Sequence, residues 1–142
     1  MNISIKLCEH IRERIIPQYV NFDKAHRIDH VEKVIEESMK LALHYEVNSA
    51  MVYTIAAYHD LGLCEGREFH HIVSGKILFA DETLWQWFTD DQMLQMKEAI
   101  EDHRASNKQA PRSIYGKIVA EADRINTAPY RTIWFVSLSG DG

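Results

Sequence analysis

A chain of 142 residues has the length of one domain, and with 46% hydrophobic residues, three prolines and six glycines it reads as a cored globule, against a disordered chain or a repeat array. A formal net charge of -5 without any lysine/arginine cluster excludes a broad nucleic-acid surface, whereas a small phosphorylated substrate needs only a few local cations and a metal. No stretch suits a bilayer span, residues 1–14 interrupt their apolar run with charges, and Cys8 and Cys64 lack CxxC spacing, so a cytoplasmic, membrane-free protein with reduced thiols is expected.

Helical periodicity runs through almost the whole chain. Ile3, Leu7, Ile11 and Ile15 fall at helical spacing over residues 3–16, and Pro17 ends that run. A second helix buries Val31, Val34, Ile35, Met39 and Ala42 and turns Glu32, Lys33, Glu36, Glu37 and Lys40 to solvent. The third, over residues 49–60, has Asn48 or Ser49 as its cap, an apolar body from Met51 to Tyr58, and Gly62 as its stop. A fourth is expected over 68–81, and a fifth from Asp90 and Asp91, whose carboxylates suit a helix N-terminus, to Glu101 or His103. After the polar connection 106–110 and Pro111, a sixth occupies 113–127 and stops before Pro129. Thr132 to Val136 alternates like a strand and equally suits a packed helical turn. Trp85, Trp87 and Phe88 read as core rather than as a hydrophobic lid, and His10 and His44 as surface residues. The fold class expected is all-α, one helical bundle over residues 1–142.

The chemistry starts at His59-Asp60. There an imidazole and a carboxylate stand side by side where a buried helix stops, which offers two metal ligands on a rigid support. A lone His-Asp pair is more often a core histidine beside a solvated helix end. The rest of the inventory shifts the balance: His30 lies upstream and His70, His71, His103 and Asp123 downstream, each in or beside an amphipathic helix. Imidazoles combined with carboxylates suit Fe, Mn, Zn or Ni; Mg alone prefers oxygen ligands and waters, although it can accompany the others.

Three segments resemble the HD-domain superfamily of metal-dependent phosphohydrolases: Ala25-His-Arg-Ile-Asp-His-Val-Glu-Lys-Val34, Ala56-Ala-Tyr-His-Asp-Leu-Gly62 and Ile118-Val-Ala-Glu-Ala-Asp-Arg124. The resemblance covers roughly residues 20–130. It implies that His30, His59, Asp60 and Asp123 hold one divalent ion and that Asp60 bridges to a second when two are bound. His71 and His103 then look like ligands of the second ion. Adjacent helical residues point about 100° apart, so His70 and His71 cannot serve one ion equally; His71 is chosen because its flanks match the family pattern, and His70 is kept as a substrate contact. His26, Lys76 and Arg104 are the other expected substrate contacts, the two cations as phosphate clamps.

The reaction implied is hydrolysis of a small phosphate ester or anhydride, with a nucleotide as the expected substrate. A metal lowers the pKa of a bound water to about 7, and Asp60 orients it. Two alternatives share the fold: a di-iron oxygenase, and a nucleotide-binding regulatory module that has lost activity. Related domains continue well beyond the last aspartate, whereas this sequence stops at Gly142. Either the C-terminal helices are missing, leaving one wall of the pocket open or supplied by a partner subunit in a homo-oligomer, or this is a minimal form of the domain.

Overall fold

The computed structural model describes residues 3–22, 28–66, 68–103 and 110–127, and every regular element among them is helical. The first helix, α1 (Ile5–His10), begins at Ser4, whose hydroxyl accepts the Leu7 N–H. It does not run on regularly to residue 16. The chain widens into a π-helical turn over Ile11–Ile15 and then tightens into a 3-10 turn over Ile16–Asn21, with Pro17 in its first turn. Residues four apart drift about 40° round an α-helix, and a wider turn takes that drift back. Leu7, Ile11 and Ile15 thus stay buried on one side, and Tyr19 follows them inward.

Helix α2 (Ile28–Ala42) is amphipathic, with Val31, Val34, Leu41 and Ala42 buried. Its outer face carries ion pairs from Lys33 and Lys40 to Glu36 and Glu37; exposed pairs of this kind add little to stability. Helix α3 (Ser49–Tyr58) is capped by Asn48, which accepts the Met51 N–H. Val52, Ile55, Ala56, Ala57 and Tyr58 are wholly inaccessible, because α2, α4, α5 and α6 all pack around this central helix. After the 3-10 turn Leu61–Glu65, α4 (His70–Ala80) lies against α5 (Asp90–Asp102). Gly75 permits that approach: a Cβ there would stand 3.2 Å from the Lys97 carbonyl oxygen. A capping box of Thr89 and Gln92 opens α5. The last helix, α6 (Ile114–Thr127), buries Ile118, Val119 and Ala122 and packs on α2, α3 and α5.

Three expectations change. Trp85 is 58% exposed, and of its cluster only Phe88 is fully buried. It sits in the 3-10 turn Glu82–Gln86 directly after buried Leu84, and successive residues of such a turn point about 120° apart. His10 is not a surface histidine: its Nε2 lies 3.1 Å from both the Tyr58 hydroxyl and Asp81 Oδ2, and the same hydroxyl donates to Asp81. Burial would raise the Asp81 carboxyl, but the bonds from Tyr58 and His10 outweigh it and hold its pKa below the usual range. Gly62 does not end α3 by a left-handed turn; among the described residues the only positive φ belongs to Gly66. His44 is exposed, and Cys8 and Cys64 are free thiols. The segment Thr132 to Val136 lies outside the described residues. No described helix is long and apolar enough to cross a membrane.

Candidate metal centre

His59 follows the last residue of α3 and keeps helical backbone angles, so its ring folds back over its own helix. Its Nδ1–H donates to the Ala56 carbonyl at 2.6 Å, a bond that assigns the tautomer and leaves the Nε2 lone pair aimed inward. Asp60 then turns out of the helix at φ -118°. The Tyr19 hydroxyl receives its N–H at 3.2 Å and itself donates to the Ala57 carbonyl at 2.7 Å.

The carboxylate of Asp60 faces two sides. Its Oδ2 stands 3.1 Å from His59 Nε2 and 4.0 Å from His30 Nε2. Asp123, from α6, closes that side with Oδ1 at 3.1 Å from His30 Nε2 and 3.8 Å from His59 Nε2. On the other side Asp60 Oδ1 stands 3.3 Å from His70 Nε2 and 3.4 Å from His103 Nε2. His30, His59, Asp60 and Asp123 thus form one group whose ligand atoms lie within 4.8 Å of one another, and Asp60, His70 and His103 form a second. His103 repeats the device of His59: it follows the end of α5, and its Nδ1–H donates to the Ile100 carbonyl at 2.5 Å. The two rings meet edge to face at 5.1 Å.

Such a cluster calls for positive charge. His59 Nε2 is buried and makes no hydrogen bond, yet it faces a carboxylate oxygen at 3.1 Å. A nitrogen lone pair and an anionic oxygen that close repel unless a proton or a cation lies between them. Burial alone would push His59 towards its neutral form and Asp60 towards protonation. Their mutual attraction, with the nearby charge of Asp123 acting on His59 and the imidazoles of His103 and His70 acting on Asp60, outweighs burial and holds His59 above the ordinary histidine value and Asp60 well below the carboxylate one. Asp123 follows suit: burial would raise it, and the His30 hydrogen bond together with the nearby His59 imidazole holds it low. A divalent ion would meet the same demand. The imidazole and carboxylate donors suit Mn, Fe, Zn or Ni, and an Nδ1–H bond to a carbonyl is the arrangement that orients a histidine ligand.

Gly62 sets the second side of the cluster. A Cβ there would fall 2.1 Å from the His70 carbonyl oxygen and 2.6 Å from the Ser74 amide nitrogen, while Ser74 Oγ accepts the Gly62 N–H at 2.7 Å. Only glycine lets the turn after Asp60 lie against the first turn of α4, and that contact brings His70 to Asp60.

The structure brings together His30, His59, Asp60, His103 and Asp123, and it adds His70 where the sequence pointed to His71. His71 does lie on the inward stripe with Ser74, Gly75 and Leu78. Along that stripe Gly75 meets Lys97 of α5 and Ser74 holds the Gly62 N–H, while His71 is not among the ligand atoms gathered at Asp60. His71 instead packs against the His70 ring, with centroids 5.8 Å apart. Lys76 is exposed, about 120° round and about 9 Å along the helix from His70, so it does not join the cluster. His26 and Arg104 lie outside the described residues. Sequence reasoning missed Tyr19 and Ser74; their only local signal is a hydroxyl on a buried stripe.

A family model for the HD domain matches residues 27–128, an interval that holds all six clustered side chains. In fold, the chain is similar to a solved structure described as a predicted HD superfamily hydrolase from an uncultured Thermotogales bacterium. The TM-score is 0.69 at 19% identity, over 96% of this chain and 74% of that one. No curated protein matches the chain.

Proposed function

The chain belongs to the HD-domain family, and from that premise we propose that it is a metal-dependent phosphohydrolase acting on a small phosphate ester or anhydride, with a nucleotide as the favoured substrate. The observation that carries this reading is Asp60, each of whose oxygens faces its own pair of histidines. The solved structure of similar fold is described as a predicted HD superfamily hydrolase. Bound divalent ions supply Lewis acidity, lowering the pKa of water to about 7 and neutralising charge on the phosphoryl oxygens.

The chain's own residues divide the remaining work by depth. The side chains of His59, Asp60 and His103 are 0%, 3% and 2% exposed and form a closed floor. Those of His30, His70 and Asp123 are 11%, 18% and 22% exposed and form the rim by which a substrate approaches. The floor shields the inner ligands from solvent and strengthens their electrostatic hold. Asp60 keeps the attacking water in line. His26 and Arg104 flank His30 and His103 in sequence and serve in this reading as phosphate contacts.

Elemental analysis of the purified protein, joined to phosphatase and nucleotide-hydrolysis assays with Mn, Fe and Ni, tests the reading. Turnover without dioxygen, with one oxygen from labelled water in the product, is expected. Turnover that requires iron and vanishes anaerobically would replace it by the oxygenase; a metal-free protein without turnover, by the regulatory module.

A further inference from the structure

The turn that carries Asp60 lies past the end of α3, where the last helical carbonyls and the N–H groups of the turn need new partners. The Ala56 carbonyl is occupied by the His59 ring, and the Asp60 N–H goes to the Tyr19 hydroxyl, which also holds the Ala57 carbonyl. One hydroxyl thus clamps the backbone on both sides of His59. Tyr19 is wholly buried, reaches this place from the 3-10 turn that follows the π-helical turn, and packs edge to face on Phe22 at 5.3 Å. We propose that Tyr19 is a positioning residue for the metal centre: its hydroxyl fixes the Asp60 backbone so that the two carboxylate oxygens face different histidine pairs.

The inference rests on the metal-centre reading, and the test separates the two. Tyr19→Phe keeps the ring in the core and deletes both hydroxyl bonds, whereas Phe22→Leu loosens the ring packing and leaves the hydroxyl alone. Each metal-free variant is titrated with Mn by calorimetry and melted by circular dichroism. Supporting partners behind a metal ligand typically govern affinity by 10–100-fold, so Tyr19→Phe should weaken Mn binding by about 10-fold or more. Phe22→Leu should lower the melting temperature and leave Mn affinity within about twofold of the parent. Unchanged affinity in Tyr19→Phe, or an equal loss in Phe22→Leu, overturns the role of the hydroxyl while the metal centre stands. A parent protein that binds no Mn overturns both. If Tyr19→Phe does not fold, amide exchange of the metal-free parent decides: an Asp60 N–H held by Tyr19 exchanges as slowly as the α3 core, and rapid exchange rejects the proposal.

Discussion

The ends of α3 and α5 present the same local device in two different settings. In both, a histidine just past the helix gives its Nδ1–H to the carbonyl three residues back and turns Nε2 towards Asp60. Around His59 the supports are buried: Tyr19 and Ser74 hold the turn with hydroxyls, and Gly62 admits α4. Next to His103 they are ionic and open to water. Arg112, 53% exposed, bonds both carboxylate oxygens of Asp102 and one of Glu101, which also pairs with Lys97. A motif that is local in sequence is therefore held by whatever the fold supplies: inside the molecule by direction-specific hydrogen bonds, and at its surface by charges that salt can screen.

The sharpest way to break the comparison is to remove what both ends share. Asp60→Ala leaves each histidine pair without its carboxylate, and bound metal and turnover should both be lost, turnover by about a thousandfold or more. Metal content and steady-state rate check this, and a variant that keeps both would sink the assignment. Gly62→Ala comes next. Its methyl collides with backbone, which does not yield as a side-chain end does, so a cost of about 3 kcal/mol is expected together with weaker binding on the His70 side. A melt and a Mn titration read the two effects separately.

Single-ligand changes are smaller and tell the two ends apart. His103→Ala should reduce stoichiometry from about two ions to about one, because the group of four around His59 does not need it, and His71→Ala should leave both ions in place. Elemental analysis distinguishes these outcomes; loss of an ion in His71→Ala would restore that residue as a ligand. The smallest effect belongs to the surface. Arg112→Ala should cost under about 1 kcal/mol, and the difference from the parent should shrink in molar salt, whereas the Tyr19→Phe deficit should not. Denaturant titrations at low and high salt compare them.

These contrasts also mark what the sequence could tell. The positions of α2 to α6 follow from apolar spacing and from end signals such as the Asn48 cap and the carboxylates of Asp90 and Asp91, because those signals act within one turn. His59-Asp60 was legible because adjacent ligands at a helix end are a local arrangement. The choice of His70 over His71 was not. Helical phase showed that His71 faces inward, but which neighbour lies there depends on Gly62 meeting the first turn of α4. Tyr19 escaped for the same reason, being 41 positions from the N–H it receives. Trp85 escaped because its cluster was read as core from its aromatic character alone, and the 3-10 turn that turns it outward gave no periodic signal.

The bond between His30 and Asp123 joins residues 93 positions apart, and it has a consequence for the birth of the protein. While the chain is being synthesised, the group of four cannot exist until α6 has left the ribosome, so an ion caught earlier by His30 or by His59-Asp60 meets only part of its shell. In the metal-centre reading, a complete shell for the first ion would be on offer only once α6 has joined the fold. The ion's binding energy would then add to the stability of the folded chain by RT ln(1 + [L]/Kd).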